Sequence, residues 1–597
     1  MISLLKRFWR RDFMEPPRDP SITFESLTFS DGQTVALGET DIVVLVGPNN
    51  SGKSEALREL EANVAAPSRR TVLHGAKLRK WGDSKTFQKY LEDNAKLVRV
   101  YGRYHYVGYK YEIDKEEIQR FDSDNVGKIS RFFVLRSATD TRLSDSDPAK
   151  AIAYLKEKPE HPIHIVVLDP QLEAEISGYF KRAFGKDLMV FRAGGSEVPL
   201  LVGNKDDLPA DAREFDPAFI EVVKDRTVEL YRQGDGMRAF ATVVLNMIAV
   251  RTQSVLLLDE PESFLHPPQA RLLSELLANS RKRKSQIFIA THSPDILQGL
   301  IGSNEPVRVL RLTRDGRANR VHELNSKTSL DLARDPFTRF SGIFSAIFHQ
   351  HVFICESDAD CLFYNAILDA SAAANEVRPD VLFVHGGGKH RLHKLASTAF
   401  KLGVPHSVIV DIDILNDEGT FRRIFESVGG QWNQVSKDWK ALKTAVDQQR
   451  PAVTWDQAVS SVQSLVEKVR ERSITLGQFV DAVKDVFRTN SPWEMVKRAG
   501  RSALPPGDAT DRFDRVCERA AAVGLWIVPV GELEGFCRSS TSMKGAAWVE
   551  SLLTTRELQT DPELAEARSF IGEVWRSTQL SSQIEAGDPP TSCGHQN

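Results

Sequence analysis

The stretch Ser254-Val-Leu-Leu-Leu-Asp-Glu-Pro-Glu-Ser-Phe-Leu-His-Pro-Pro268 decides how the rest of the chain is read. Its apolar run Val255, Leu256, Leu257 and Leu258 has the character of a parallel strand buried on both faces, and Asp259 and Glu260 follow at its carboxyl end. Open α/β sheets bind ligands outside the carboxyl ends of their strands. Asp259 is therefore placed to hold Mg²⁺ through water, and Glu260 to polarise an attacking water. A strand followed by a solvated acidic turn would look the same over these residues alone, so the decision rests on motifs elsewhere.

Upstream, Ile42-Val-Val-Leu-Val46 runs directly into Gly47-Pro-Asn-Asn-Ser-Gly-Lys-Ser54, and residues 55–65 read as a helix. Strand, GxxxxGK[ST] loop and helix in that order form a phosphate loop in its required context. The backbone of Gly47, Asn49, Asn50, Ser51 and Gly52 curls its amides around phosphates, Lys53 supplies a point charge, and Ser54 offers a hydroxyl to Mg²⁺. Between the two motifs, residues 97–113 look like a β-hairpin with Tyr101, Tyr104, Tyr106, Tyr109 and Tyr111 interleaved, either a nucleic-acid stacking surface or the cover of a sheet face. Just before the organising strand, the turn Gly234-Asp-Gly236 leads into an apolar helix over 240–250 and turns free amides toward an anion. Just after it, a helix over 271–282 and the buried strand Gln286-Ile-Phe-Ile-Ala290 end at Thr291-His292-Ser293. A His in that place can report a γ phosphate or serve structure alone.

The second half repeats the arrangement with a different set of acids. Strand His351-Val-Phe-Ile-Cys355 ends at Glu356, with Asp360 opening the next helix; a strand over 381–384 ends in His385-Gly-Gly-Gly-Lys-His390; and Ser407-Val-Ile-Val410 ends in Asp411-Ile-Asp413. Four carboxylates with no neutralising partner nearby in sequence favour divalent metals, and oxygen-only ligation favours Mg²⁺ or Mn²⁺ over zinc. Helical periodicity over 432–449, 455–472, 476–488 and 511–523 predicts a helical insertion. Its Lys468, Arg470, Arg472, Lys484, Arg488, Lys497, Arg498 and Arg501 either line a DNA path or form a solvated face.

Composition narrows the class. At 597 residues the chain has room for several cores, and a formal charge of −3 gives no general affinity for polyanions, so any such site must be local or use metal ions. Cys355, Cys361, Cys517, Cys537 and Cys593 form no CxxC pair, which fits a reducing cytoplasm and not a zinc site. No apolar run approaches the ~20 residues of a membrane span, and no membrane partner is expected. Residues 1–11, basic with Leu4, Leu5, Phe8 and Trp9, read as a frayed terminus or a short amphipathic helix meeting a partner or DNA.

The motifs at 47–54, 234–236, 258–262, 265–267 and 291–293, in that order, resemble the ABC-type ATPase heads of the SMC and recombination-mediator kind. The resemblance implies ATP held between two heads, with Asp259 the Walker B magnesium ligand, Glu260 the catalytic base, His292 the switch histidine, and Gly234 and Gly236 lent to a second copy. Gln233 departs from it, standing where a signature serine is usual. Glu356 with Asp360, then Asp411 with Asp413, resembles the Toprim fold, with Ser357 in place of the usual glycine. Together the two halves resemble the OLD (overcoming lysogenization defect) family of ATPase-nucleases over most of the chain. By that resemblance Glu532 or Glu534 completes a metal site and Lys544 offsets charge at the scissile phosphate.

The expected fold class is α/β: an ABC-type P-loop ATPase domain plus a C-terminal Toprim (Rossmann-like) domain carrying a helical insertion. The expected boundaries are an N-terminal arm (1–20), the ATPase domain (21–325, with an irregular and possible dimerisation insertion at about 71–225), a connector (326–345), the Toprim domain (346–576, helical insertion at about 415–522) and a disordered tail (577–597). The expected function is an ATP-hydrolysing DNA endonuclease of the cytoplasm, a homodimer or higher even homo-oligomer open to a separately encoded partner, with a role in anti-phage defence that only the resemblance suggests. Two alternatives remain: a nucleotide-gated scaffold that cuts nothing, and a strand-passing Toprim enzyme, which needs a nucleophilic tyrosine that Tyr364 does not obviously provide.

Overall fold

A computed structural model describes residues 19–65, 71–124, 126–209, 215–249, 253–279, 285–303, 307–316, 318–324, 330, 335–336, 341–372, 378–449, 455–488, 492–539 and 544–584. The expectations for the N-terminal arm, for most of the connector, for Cys593 and for the last thirteen residues of the tail lie outside these. The chain divides into two compact units, Met1–Arg334 and Asp335–Asn597.

The first unit is built on a six-stranded sheet in the order Ala318–Leu324, Val307–Asp315, Ile42–Val46, Gln286–Ala290, Val255–Asp259, Val134–Ser137. All neighbours are parallel except the pair made by the first two. Three central strands are buried along their whole length, which is why their sequences are apolar runs and not alternations. Register places Asp259 beside Ala290 and Ala290 beside Leu45, so the Asp259 and His292 strand ends and the phosphate loop share one edge. A second, antiparallel sheet (Thr34–Ala36, Ser21–Phe29, Leu73–Trp81) covers one face, and Phe24 meets Phe288 edge-on with ring centroids 5.6 Å apart. Residues 97–113 form a three-stranded meander (Lys96–Val100, Arg103–Gly108, Tyr111–Asp114) in place of the expected hairpin. Tyr106 and Tyr111 are core there, Tyr109 donates to Asn246 at 3.0 Å, and only Tyr101 and Tyr104 are exposed. Most of the aromatics thus cover a sheet face.

The second unit carries four parallel strands in the order Val381–His385, His351–Cys355, His406–Val410, Leu525–Ile527. Helices Asp358–Ser371, Ala546–Thr555 and Ala565–Ile584 close one face over a core of Phe353, Phe363, Tyr364, Ile409, Trp548 and Phe570. The last of these helices runs through residues expected to begin the tail at 577, because Ala567, Ile571 and Val574 present an apolar stripe to that core. Between the third and fourth strands lie Glu418–Ser427, Trp432–Asp447, Trp455–Arg470, Leu476–Arg488, Pro492–Ala499 and Asp508–Ala521. Asp438 ties this helical stretch together, receiving Arg512, Arg515 and Arg519 at 3.1, 3.1 and 2.9 Å. Among the described residues, no helix is long and apolar enough to cross a membrane.

Candidate functional site

At the strand edge of the first unit, the phosphate loop turns through Gly47 (φ +139°), Asn50 (φ +61°) and Gly52 (φ +90°). A Cβ on Gly47 would lie 2.1 Å from the Leu312 carbonyl oxygen, so a side chain there would unseat the loop from the sheet. Helix Lys53–Ala65 begins inside the loop. The Lys53 ammonium is buried and folded onto the loop's own Gly47 and Pro48 carbonyls, at 2.8 Å each. Ser54 Oγ donates to Asp259 Oδ1 at 2.8 Å, so a hydroxyl and a carboxylate from sites 205 residues apart meet as one oxygen pair. That pair suits Mg²⁺.

Glu260 adopts a left-handed backbone (φ +47°) that non-glycine residues rarely hold, and its carboxylate lies 3.6 Å from His292 Nε2. Arg142, which sequence reasoning missed, underlies this conformation. Its fully buried guanidinium donates to the Asp259 carbonyl at 2.5 Å and the Glu260 carbonyl at 2.9 Å. Burial lowers its pKa, and Glu262, Asp259 and Glu260 oppose that. Glu262 accepts from Thr291 Oγ1 at 2.6 Å and from the His292 amide at 3.0 Å, and burial raises its pKa. The turn at 234–236 starts helix Asp235–Ala249, earlier than the sequence implied, and Gly236 sits against the Phe264 carbonyl, where a Cβ would approach to 2.7 Å. Arg238 on that helix reaches the segment of Arg142, donating to Ser146 Oγ at 3.0 Å and the Leu143 carbonyl at 2.9 Å.

In the second unit, oxygens of Glu356, Asp411 and Asp413 lie within 4.8 Å of one another. The Asp411 amide donates to Glu356 Oε1 at 3.1 Å, and glycine-rich residues 386–388 wrap the first strand end, the Gly388 amide reaching the Glu356 carbonyl at 2.8 Å. Burial, then Asp413, pushes Glu356 up to about 7. Burial, then Glu356, raises Asp411 well above the carboxylate range. Asp360 stands beside the trio but outside it. Its Oδ2 accepts from the Ser357 amide and hydroxyl at 2.8 and 3.0 Å in a capping box, and burial raises its pKa, with Glu534 adding to the rise. Glu534 accepts the Gly545 amide at 2.8 Å, and Glu532 pairs with Lys544 at 2.6 Å.

The acids, without a neutralising partner nearby in sequence, acquire two through the fold. Lys389, from the glycine-rich loop, reaches Asp413 at 3.1 Å, and Lys497 reaches Asp411 and Asp413 at 3.4 and 3.3 Å. Burial would depress the Lys497 ammonium, but Asp411, Asp413 and Glu356 outweigh it and hold its pKa above the ordinary lysine value. Lys497 belongs to the basic set read from the insertion as DNA path or solvated face, and in the structure its ammonium lies against the clustered acids. Its neighbours Arg501 and Lys484 do pair locally, with Asp514 and Asp481. Charge was its only sequence signal; its position opposite Asp411 comes from packing. Tyr364 is buried with a strongly raised pKa, caused first by burial, and is core.

Residues 199–298 match the family described as "AAA domain, putative AbiEii toxin, Type IV TA system", a stretch that includes Gly234, Gly236, Asp259, Glu260 and His292. Old nuclease of Escherichia phage P2 is 22% identical over 178 residues, 29% of this chain and 30% of that protein, so the match spans less than a third of the relative. An uncharacterized protein of Methanocaldococcus jannaschii is 30% identical over 88 residues, 14% of this chain and 76% of its own. Among solved structures, the SMC head domain from Thermotoga maritima aligns with 52% of this chain and 100% of its own at 11% identity and a TM-score of 0.28.

Proposed function

We propose that this chain, which belongs to the OLD family and carries an ATPase domain of the ABC type, is a divalent-metal-dependent DNA endonuclease whose Toprim-like second unit is governed by ATP at the first. The nuclease reading rests on the trio Glu356, Asp411 and Asp413. The donor set is all oxygen, and Asp413 Oδ1 is buried without a hydrogen-bond partner, a lone pair set aside for a cation. Mg²⁺ or Mn²⁺ held there would supply an activated water and stabilisation of the leaving oxygen. The trio would hold the ions, with Asp360 beside it and Glu532 or Glu534 completing the set.

In the first unit, residues 47–54 cradle the phosphates of ATP, Ser54 and Asp259 hold Mg²⁺, and Glu260 accepts the proton of the attacking water. His292 lies 3.6 Å from Glu260, where it would orient that carboxylate and meet the γ phosphate of bound ATP. Gly234 and Gly236 of a second copy close the site, which calls for a homodimer or a higher even homo-oligomer. ATP then acts through the shape of the engaged heads and not through bond energy delivered to DNA. Anti-phage defence is the setting that the resemblance to the OLD family alone implies.

A second reading, a nucleotide-gated scaffold that cuts nothing, draws on the two lysines that already neutralise the acids. Cleavage of supercoiled plasmid in Mg²⁺ or Mn²⁺, with and without ATP, separates the two. The nuclease reading expects nicked or linear product from wild type, none from Asp411→Ala, and an altered ATP response in Glu260→Gln. ATP turnover without product in either metal would favour the scaffold.

A further inference from the structure

We infer that Lys497, delivered by the helical insertion, is the cation that the scissile phosphate meets, and that Lys544 is not. The inference rests on the nuclease reading and deepens it. Lys497 is the better placed: its ammonium touches two of the three clustered acids, and its side chain is 26% exposed against 66% for Lys544, which is engaged with Glu532 at 2.6 Å. It is also the better held. The turn at 529–531 packs backbone to backbone against the helix that carries it. A Cβ on Gly531 would lie 2.0 Å from the Lys497 carbonyl oxygen, and one on Gly500 would lie 2.3 Å from that of Pro529. The Arg501 amide donates to the Pro529 carbonyl at 2.9 Å, and Trp493 Nε1 donates to Asp447 at 2.8 Å, which fixes the same helix at its other end. The Ile412 amide, between the two acids, donates to the Gly531 carbonyl at 3.0 Å. Lysine and acids are therefore registered to each other through a single turn.

Once divalent ions take up the charge of Asp411 and Asp413, the ammonium loses its carboxylate partners, and a non-bridging phosphate oxygen is the acceptor that replaces them. The contact is a charge-assisted hydrogen bond with no proton transfer. In the absence of DNA the same ammonium competes with the metal for those carboxylates, so its removal has opposite effects on metal binding and on cleavage.

The test uses the full chain in four forms, wild type, Lys497→Met, Lys497→Arg and Lys544→Met. Mn²⁺ binding without DNA is read from the paramagnetic resonance of free Mn²⁺, and plasmid cleavage is read at saturating Mn²⁺. Lys497→Met is expected to bind Mn²⁺ roughly tenfold more tightly, since a neighbouring positive charge is gone. It should cleave on the order of 100-fold more slowly, the scale of losing one charge-stabilising donor. Lys497→Arg should recover much of the rate, and Lys544→Met should lose roughly tenfold less of it than Lys497→Met. Unchanged cleavage by Lys497→Met overturns the inference, as does loss of Mn²⁺ and cleavage together in both Lys497 variants, which marks a structural role. A wild type that binds no Mn²⁺ overturns the metal reading beneath it.

Discussion

The two strand-end sites differ in how completely the protein satisfies its own charges. Around Asp259 each acid has an assigned partner: Ser54 for Asp259, His292 for Glu260, and Thr291 with the His292 amide for Glu262, while the phosphate loop holds Lys53 on its own carbonyls. Around Asp411 the acids face one another, and the pKa values of Glu356, Asp360 and Asp411 all rise. Two lysines from other elements restrain the repulsion, which protonation or a multivalent cation would relieve. A site of the first kind is preorganised before any ligand arrives; one of the second kind stays under tension until protons or a cation relieve it.

The comparison breaks most visibly if the two sites are not separable. Asp411→Ala should reduce metal-dependent plasmid cleavage by at least about 1000-fold while ATP turnover stays within about twofold, and Glu260→Gln should reduce turnover by about 100- to 1000-fold with ATP still bound. Parallel steady-state ATPase and cleavage assays check both, and loss of both activities in both variants would merge the sites.

The next largest effect concerns the self-satisfied site. Arg142→Ala leaves the Asp259 and Glu260 carbonyls without their buried donor and should cost about 3 kcal/mol in the first unit. Chemical denaturation measures that loss, and a change below about 1 kcal/mol would mean the left-handed turn at Glu260 does not depend on the arginine.

A pH series sharpens the contrast further. Glu356 holds its proton up to about 7 against an ordinary value of 4.5, so the folded, metal-free state keeps a proton that the unfolded chain has lost. Its contribution to stability is full below the ordinary value and is lost as pH rises through about 7, an effect of up to about 3 kcal/mol. Melting of the metal-free protein at pH 5 to 8 should show that fall, and Glu356→Gln should flatten it. A melting profile independent of pH in wild type would contradict the crowding of the acids.

The smallest effect is expected at the signature turn. Gln233→Ser, which restores the usual residue there, should raise ATP turnover by no more than about threefold if heads engage across that turn. Comparing turnover at low and high protein concentration checks whether any gain depends on association.

How much of each site could be read from sequence follows the same division. The phosphate loop, Asp259 with Glu260, and His292 belong to contiguous motifs whose strand, turn and helix are set by local pattern, and each could be read where it stands. The acids of the second unit could be found for the same reason, as polar residues closing apolar runs. Their counter-charges could not. Lys497 lies 84 residues beyond Asp413 on the helix Pro492–Ala499, which the periodicity reading passed over, and it reaches the acids through a backbone contact with Gly531. Arg142 was hidden for a related reason: it sits in a four-residue helix within an irregular stretch, and its partners are carbonyls 117 and 118 residues away that leave no mark on side-chain pattern. The meander at 96–114 differs from the expected hairpin because the two central residues of its second turn, Tyr109 and Lys110 between paired Gly108 and Tyr111, include neither the Gly nor the Asn that usually marks such a turn.

The contact between Gly531 and the Lys497 carbonyl has a consequence for how this protein can be recombined. The helical insertion looks like a cassette, open to exchange between relatives by cutting after Asp413 and before Leu525. Two absent side chains, at positions 500 and 531, one on either side of that boundary, set where the cassette seats against the sheet. A chimera that carries its own lysine but not both glycines would be displaced by the width of a methyl group, enough to move the ammonium out of reach of the acids. The exchangeable part is therefore the insertion together with the turn that receives it.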